Sequence, residues 1–418
     1  MRRLDPVLTS ALVVGSALFV IRGWSRLVKP GMWAEDGTRF LPESHTLGLA
    51  SITHPFAGYI HVLPRLIALV LRLVPLGGVP AAYTLAAVTV ALAIFSTVLS
   101  KRLAWLVPSR MARGLIFVLL CLLPDLSEPY GNLANLISVG AVAALFLGLS
   151  DDPESVPGRI LELVVIAILV LSGPPSILTF PVYGHRIWRS RTWHSLAATS
   201  VFALGSCVQL YVYLTSSRRP AGGGSAEIYA KTVGVRLPGT WMAGSMQWRN
   251  GWIHGNMAIY GTVWIVLVVL VAAFTMRIAG ALILLVGALV LGAAVSAYGP
   301  VILIAGADRQ FLLPLTVVVT VLVGSAALRL SDVRTRMAEH SGRLSLHAVA
   351  SGVVFAIAVG AVGLGAMGVQ RDFQLPAYSP RPNMSQLEPC LATLSPQCKT
   401  PEAPLGWYVR LTRKPAVP

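Results

Sequence analysis

The sequence predicts an all-α polytopic membrane protein, and three observations carry that prediction. Of 418 residues, 55% are hydrophobic and only 12% charged, whereas soluble domains carry about a quarter charged residues. The mean hydropathy is +0.71. Apolar runs of helical length recur along nearly the whole chain, and arginine gathers in the short loops between them, as in cytoplasmic loops. The net charge of +16 therefore points to anionic lipid head groups as its partner rather than to nucleic acid.

The first run, Val7 to Ile21, follows Met1-Arg2-Arg3 and has the outline of a signal peptide. No small-residue cleavage pattern follows it, so it reads as an uncleaved first helix with its N-terminus in the cytoplasm. The segment Tyr59 to Pro75 decides the topology. It is short for a hydrocarbon core that needs about 20 residues, and it carries His61, Arg65 and Arg72 on one helical stripe. A one-sided cationic stripe suits a helix lying in the interface, so residues 25 to 79 become one long outer loop.

The remaining runs then alternate. Expected spans are Pro80 to Ser100, Leu115 to Leu123 with its flanks, Leu133 to Leu149, Ile160 to Leu171, Ile177 to Tyr183 and Ser195 to Leu214. A polar outer stretch, 215 to 256, precedes Met257 to Phe274, a span ending near Tyr298, one starting after Arg309, and Leu346 to Met367. That makes about eleven spans, forming a transmembrane catalytic domain over residues 1 to 369, with a small outer C-terminal tail from 370 to 418. Cys121 and Cys207 lie in apolar runs and read as core residues. Cys390 and Cys398 lie in the tail and are expected to pair on an oxidising face, ordering a small cap.

Under this topology the unusual polar residues collect on the outer face. Glu35 and Asp36 open the first loop, and His54, His61 and Arg65 follow it. Glu128, Asn132 and Asn135 lie where the third span passes into the fourth, and Arg309 lies just before the tenth. Ionisable groups near a membrane face in so acid-poor a chain are functional candidates. Each also has a plain structural role open to it: helix capping for Glu35 and Asp36, interhelical hydrogen bonding for Asn132 and Asn135, and interfacial anchoring for Arg309, the histidines, and Trp241, Trp248 and Trp252. The chemistry that uses the whole set is glycosyl transfer from a lipid-phosphate sugar. A carboxylate takes the acceptor proton, and a cation meets the phosphate leaving group.

The order of these pieces resembles the GT-C superfamily of membrane glycosyltransferases. The matching parts are Ala34-Glu35-Asp36-Gly37 in a long first outer loop, His54-Pro55 with the amphipathic helix, and the acid and amides from Glu128 to Asn135. Asp308-Arg309-Gln310-Phe311-Leu312-Leu313-Pro314 is similar to the family's Arg-Tyr-x-x-Pro element, with Gln310 in place of the tyrosine. The resemblance implies Asp36 as the base, with Glu35 its neighbour or the alternative base. It implies a polyprenyl-phosphate sugar donor, inversion at the anomeric carbon, and a glycan, lipid or protein acceptor on the outer face, and the excess of Arg over Lys with an Ala/Gly/Val-rich composition points to a bacterial cytoplasmic membrane. Some members use a divalent metal and others none. The rival readings are a transporter or flippase of lipid-linked sugars, which calls for broken helices in paired halves, and a membrane protein without catalysis.

Overall fold

A computed structural model describes residues 5–217, 222–249, 256–304, 307–339, 346–389 and 398–411. The chain is mostly helical, 74%. In order the helices are α1 (Pro6–Arg22), α2 (Trp24–Val28), α3 (Leu41–Thr46), α4 (Val62–Leu71), α5 (Val79–Ser96), α6 (Arg110–Leu122) and α7 (Leu136–Leu149). They continue as α8 (Val156–Val170), α9 (Pro174–Ile177), α10 (Phe180–Ser190), α11 (Trp193–Thr215), α12 (Ala226–Lys231) and α13 (Leu237–Arg249). The last are α14 (Asn256–Thr275), α15 (Arg277–Tyr298), α16 (Val301–Ile304), α17 (Leu312–Glu339), α18 (Leu346–Gly363) and α19 (Gly365–Arg371). Two antiparallel strands, β1 (Lys399–Glu402) and β2 (Trp407–Arg410), form a hairpin near the end.

Six stretches among the described residues are long and apolar enough to cross a membrane: Leu76–Leu99, Trp193–Thr215, Ala258–Thr275, Arg277–Tyr298, Asp308–Ser331 and Val349–Arg371. The other expected spans fall on shorter helices. α1 has 17 residues, α8 15, α7 14 and α6 13. The expected span from Ile177 to Tyr183 is divided between α9 and α10.

Local sequence starts several of these helices. Asp5 accepts the amides of Val7 and Leu8, with Pro6 in the first turn of α1, where its missing N–H costs nothing. Ser109 and Ser155 cap α6 and α8 in the same way, and Thr192 and Ser195 cap α11 reciprocally. At the centre lies α7, in which all residues but Leu147 are buried. A helix apolar on every side belongs inside a bundle. The first half of α17 is buried almost as fully.

The direction of α1 against α6 tests the reading of the first loop. Asp5 pairs with Arg110 at one end at 2.6 Å, and Arg22 donates to the Leu123 carbonyl at the other at 2.6 Å. Between them Gly114 packs on Ala11 and Gly15 on the Phe117 ring. The two helices are parallel. With α5 as the single reversal between them, α4 does not cross the bundle. Its ten residues span about 15 Å, half of a hydrocarbon core of about 30 Å. The stripe on α4 is split, however: His61 and Arg65 are buried against the protein, while Arg72 is exposed together with Val70 and Leu73. Arg65 turns inward because Glu43, missed in the sequence, lies there.

Polar side chains gather at both ends of the bundle. At the end holding Ser150 and Ser190, Glu162 of α8 is the hub. It accepts from Arg186 at 3.0 and 3.2 Å and from Arg102, and lies 2.6 Å from His194. Asp152 joins through Arg186 and Thr192. These residues come from three loops, with their flanking helix ends, expected on the cytoplasmic side, and they meet at one end. Cys121 is buried, as expected, whereas Cys207 is exposed on α11, on the side shared by Leu204, Val208 and Tyr211, which are exposed as well. Cys398 is disulfide-bonded; Cys390 lies outside the described residues, as does Trp252, and the Trp248 side chain is likewise not described.

The Gly15 contact yields a packing test. A Cβ there would lie 2.5 Å from the Phe117 ring, so Gly15→Val is expected to cost about 1–3 kcal/mol by overpacking. Gly352→Ala, with open space around it, should leave thermal unfolding of the detergent-solubilised protein unchanged.

Candidate functional site

The opposite end of the bundle brings together the first loop, the α6–α7 loop, the turn before α17 and the C-terminal segment. Trp33 to Phe40 is not a simple loop. Ala34 has φ 43°, and a π-helical turn runs over Asp36–Phe40. Both features are uncommon and concentrate at functional sites. They send the two adjacent acids different ways. Asp36 is fully buried and accepts the amides of Leu133 and Ala134 at 3.1 and 2.9 Å. Burial raises its pKa, and the two amides pull it back in part. Glu35 is half-buried, and its charge reaches Asp36, Glu128, Arg309 and Glu402. Asp36 thus caps the approach to α7 rather than the helix that follows it.

That cap sets the next group. Asn132 Nδ2 donates to the Glu128 carbonyl at 2.7 Å and Asn135 Nδ2 to the same carbonyl at 3.0 Å, while Asn132 Oδ1 accepts the Asn135 amide. With its backbone held, the Glu128 side chain meets Arg309: Nη1 donates to Oε1 at 2.5 Å, and the Arg309 amide donates to Oε2 at 3.1 Å. Arg309 also donates to Asn135 Oδ1 at 3.3 Å and to the Tyr298 hydroxyl at 2.9 Å. Burial raises the Glu128 carboxyl, and Arg309 opposes that rise. Glu128, Asn132, Asn135 and Arg309 therefore form one connected cluster, joined to Asp36 through the start of α7.

His54, His61 and Arg65 belong to a second group, built on Glu43. Arg65 donates to Glu43 at 2.5 Å, His54 Nδ1 lies at 3.1 Å and Arg39 at 3.8 Å. His61 is enclosed by the rings of Tyr59, Phe40 and Phe56. This group braces the first loop, and its acid is Glu43 rather than Glu128.

Several residues escaped the sequence reading. Arg236 ends a second π-helical turn, Thr232–Arg236, inside the stretch taken as an outer loop, and donates to Asp308 at 3.0 Å and toward Asp125 at 3.5 Å. Asp308 also accepts from Ser127. Neighbouring residues of one turn, Asp308 and Arg309, thus hold two different segments. Arg26 donates to the carbonyls of Tyr130 and Pro376 and to the Tyr378 hydroxyl, with its guanidinium 4.1 Å from the Tyr378 ring. Trp241, expected as an interface anchor, is instead buried, donating to the Ala361 carbonyl, and serves as a packing residue. Glu402 of the C-terminal hairpin is fully buried against Gly37. Only Glu43 had a local signal, as Arg39 and Glu43 stand four apart on one helical face.

An apolar cavity of 440 Å³, lined in part by Ala288, runs between α14, α15 and α17, from Leu237 and Pro314 nearer this end to Ala272 and Ala281 near the α14–α15 turn. Leu237 adjoins Arg236, and Pro314 follows Arg309 by little more than one turn. Among the described residues no group of three or more His, Cys, Asp or Glu is arranged to hold a metal ion. Comparison with protein-family models, with curated proteins and with solved structures finds no match to this chain.

Glu43 offers the sharpest energetic test. Its side chain and that of Arg65 are each 1% exposed, and removing one partner of a buried pair costs about 3–5 kcal/mol. Glu43→Ala should therefore lower stability by that order in a denaturation series, and Glu43→Gln by less, because an amide oxygen still accepts from Arg65.

Proposed function

We propose that the chain is a GT-C-type membrane glycosyltransferase that moves a sugar from a polyprenyl-phosphate donor to a glycan, lipid or protein acceptor, with inversion. Its layout would be about eleven crossings, with the N-terminus cytoplasmic and the site on the outer face of a bacterial cytoplasmic membrane. One observation carries this reading: an acid-bearing first loop, Glu128 with its amides, and Arg309 meet at one end of an apolar bundle that holds an apolar cavity. The parallel run of α1 and α6 supports the single outer loop on which that layout depends.

The geometry favours Glu35 over Asp36 as the base. Asp36 is sealed and occupied by two backbone amides, whereas Glu35 is half-exposed with no described side-chain hydrogen bond. In this mechanism Glu35 takes the proton of the acceptor hydroxyl as its oxygen attacks the anomeric carbon. The bond from that carbon to the phosphate oxygen breaks on the opposite side. The phosphate departs toward Arg309, whose charge is balanced at rest by Glu128. Tyr298 and Asn135 keep the guanidinium in place, so that little reorganisation is needed as the negative charge develops. The cavity suits part of the donor's hydrocarbon chain.

Purified protein with a synthetic polyprenyl-phosphate sugar tests this. Glu35→Gln is expected to lower kcat by about 10²–10⁴-fold, the usual worth of a general base, without loss of thermal stability. Asp36→Asn should lower stability as well as activity, because one of two amides loses its acceptor. Full transfer in both variants would remove the first loop from the chemistry, and no transfer by the unaltered protein under any donor would favour a transporter. Ala288→Phe, which fills part of the cavity, should raise KM for a long-chain donor and leave a short-chain donor unaffected.

A further inference from the structure

The C-terminal hairpin enters the candidate site rather than covering it from a distance. The Ala34 amide donates to the Ala403 carbonyl at 2.6 Å, and Trp33 bridges Ala403. This contact holds the one non-glycine residue of the acidic turn with a left-handed backbone, Ala34 at φ 43°, immediately before Glu35. One residue away on the hairpin, Glu402 lies against Gly37 so closely that a Cβ on Gly37 would stand 2.3 Å from Glu402 Oε2. Glu402 is 0% exposed, and neither of its carboxyl oxygens completes a hydrogen bond of normal geometry.

Among the described residues, the groups that act on Glu402 are mostly acidic. Asp36 and Glu35 face it from the first loop, and Tyr83 faces it from α5. Arg39, on the same π turn as Asp36, is directed to Glu43 and the Phe56 ring. Lys399 and Arg410 pair with each other on the opposite face of the hairpin, exposed, and the cross-strand partner of Glu402 is Trp407. An ionised Glu402 would be a buried charge beside two other carboxylates, an arrangement that proteins avoid by neutralising the group.

We propose that Glu402 is a positioning residue that locks the strained Ala34–Gly37 turn by docking as a neutral carboxylic acid, which makes the C-terminal hairpin a pH-sensitive strap on the site. The role in transfer rests on the proposed glycosyltransferase reading; the docking itself does not. Burial, Asp36 and Glu35 all raise the Glu402 carboxyl, with the Gly37 amide pulling it back slightly. A group whose docked pKa is raised contributes docking that is complete below its free pKa and is lost as pH rises toward the docked value. In that window the docking constant falls by about tenfold per pH unit.

Hydrogen exchange of the 33–37 peptide in the full-length protein reads docking directly, through the Ala34 amide. After correction for intrinsic exchange, the unaltered protein should lose protection with rising pH by up to tenfold per unit. Glu402→Gln, a neutral isostere, should keep protection and remove that pH dependence. Glu402→Ala and Gly37→Ala should each lose protection at every pH, with global unfolding followed separately by the α7 peptides. In transfer assays Glu402→Ala should lower kcat at least tenfold with KM little changed, and Glu402→Gln should rescue it. Loss of protection in Glu402→Gln equal to that in Glu402→Ala would overturn the proposal, as would a pH dependence shared by Glu402→Gln and the unaltered protein. Intact docking behaviour in a protein without transfer activity would instead refute the enzyme reading and leave the strap standing.

Discussion

The two hydrogen bonds from Leu133 and Ala134 to the Asp36 carboxylate hold the site together. A carboxyl removed from water needs compensation, and here the compensation comes from backbone donors just ahead of α7, nearly a hundred residues away. Meeting that need fixes the first loop to the α6–α7 loop. The Asn132 and Asn135 side chains then fold back on the Glu128 carbonyl, and Glu128 is presented to Arg309. The distribution of polar groups in a bundle this apolar follows the same logic throughout. Glu43 with Arg65, Glu162 with Arg186, and Asp308 with Arg236 each answer a buried charge with another from a distant element.

The fold was legible where the signal was hydropathy over a helical length, and less so where helices are short. α5, α11, α14, α15 and α17 follow directly from their apolar runs. The run at Ile177–Tyr183 does not, because Pro174, Pro175 and Pro181 divide it and its neighbours into two short helices. The stretch from 226 to 249 read as polar loop because its composition is mixed. It is helical because its polar residue Arg236 is satisfied by Asp308 and Asp125, which no local pattern reveals. The position of α4 was legible from its length, but the direction of its cationic stripe was not. Cations facing lipid head groups and cations facing a buried acid have the same sequence periodicity.

The candidate site was legible in part for the same reason. Acids in a chain with few of them stand out, as does an arginine away from the basic loops, and Glu35, Asp36, Glu128, Asn132, Asn135 and Arg309 do meet. His54, His61 and Arg65 were drawn into the same set by position along the chain, yet His54 and Arg65 bind Glu43 and His61 lies among aromatic rings. The division of labour between Glu35 and Asp36 depends on the backbone at Ala34, and adjacent residues on a kinked turn carry no sequence mark of which one is sealed. Glu402 lay in a proline-rich tail whose composition suggests only an external cap.

The contact between Ala34 and Ala403 also bears on how the protein is made. Ribosomes deliver residue 403 only after every membrane helix described above has emerged. Until then the Ala34 amide lacks its acceptor, and the strained turn before Glu35 has nothing to hold it. The first loop precedes nearly all of the helices, but its final conformation waits for a hairpin that follows α19. A chain interrupted before residue 403 would already be embedded in the bilayer with its acidic loop unset, so maturation of the site is timed by delivery of the hairpin rather than by insertion.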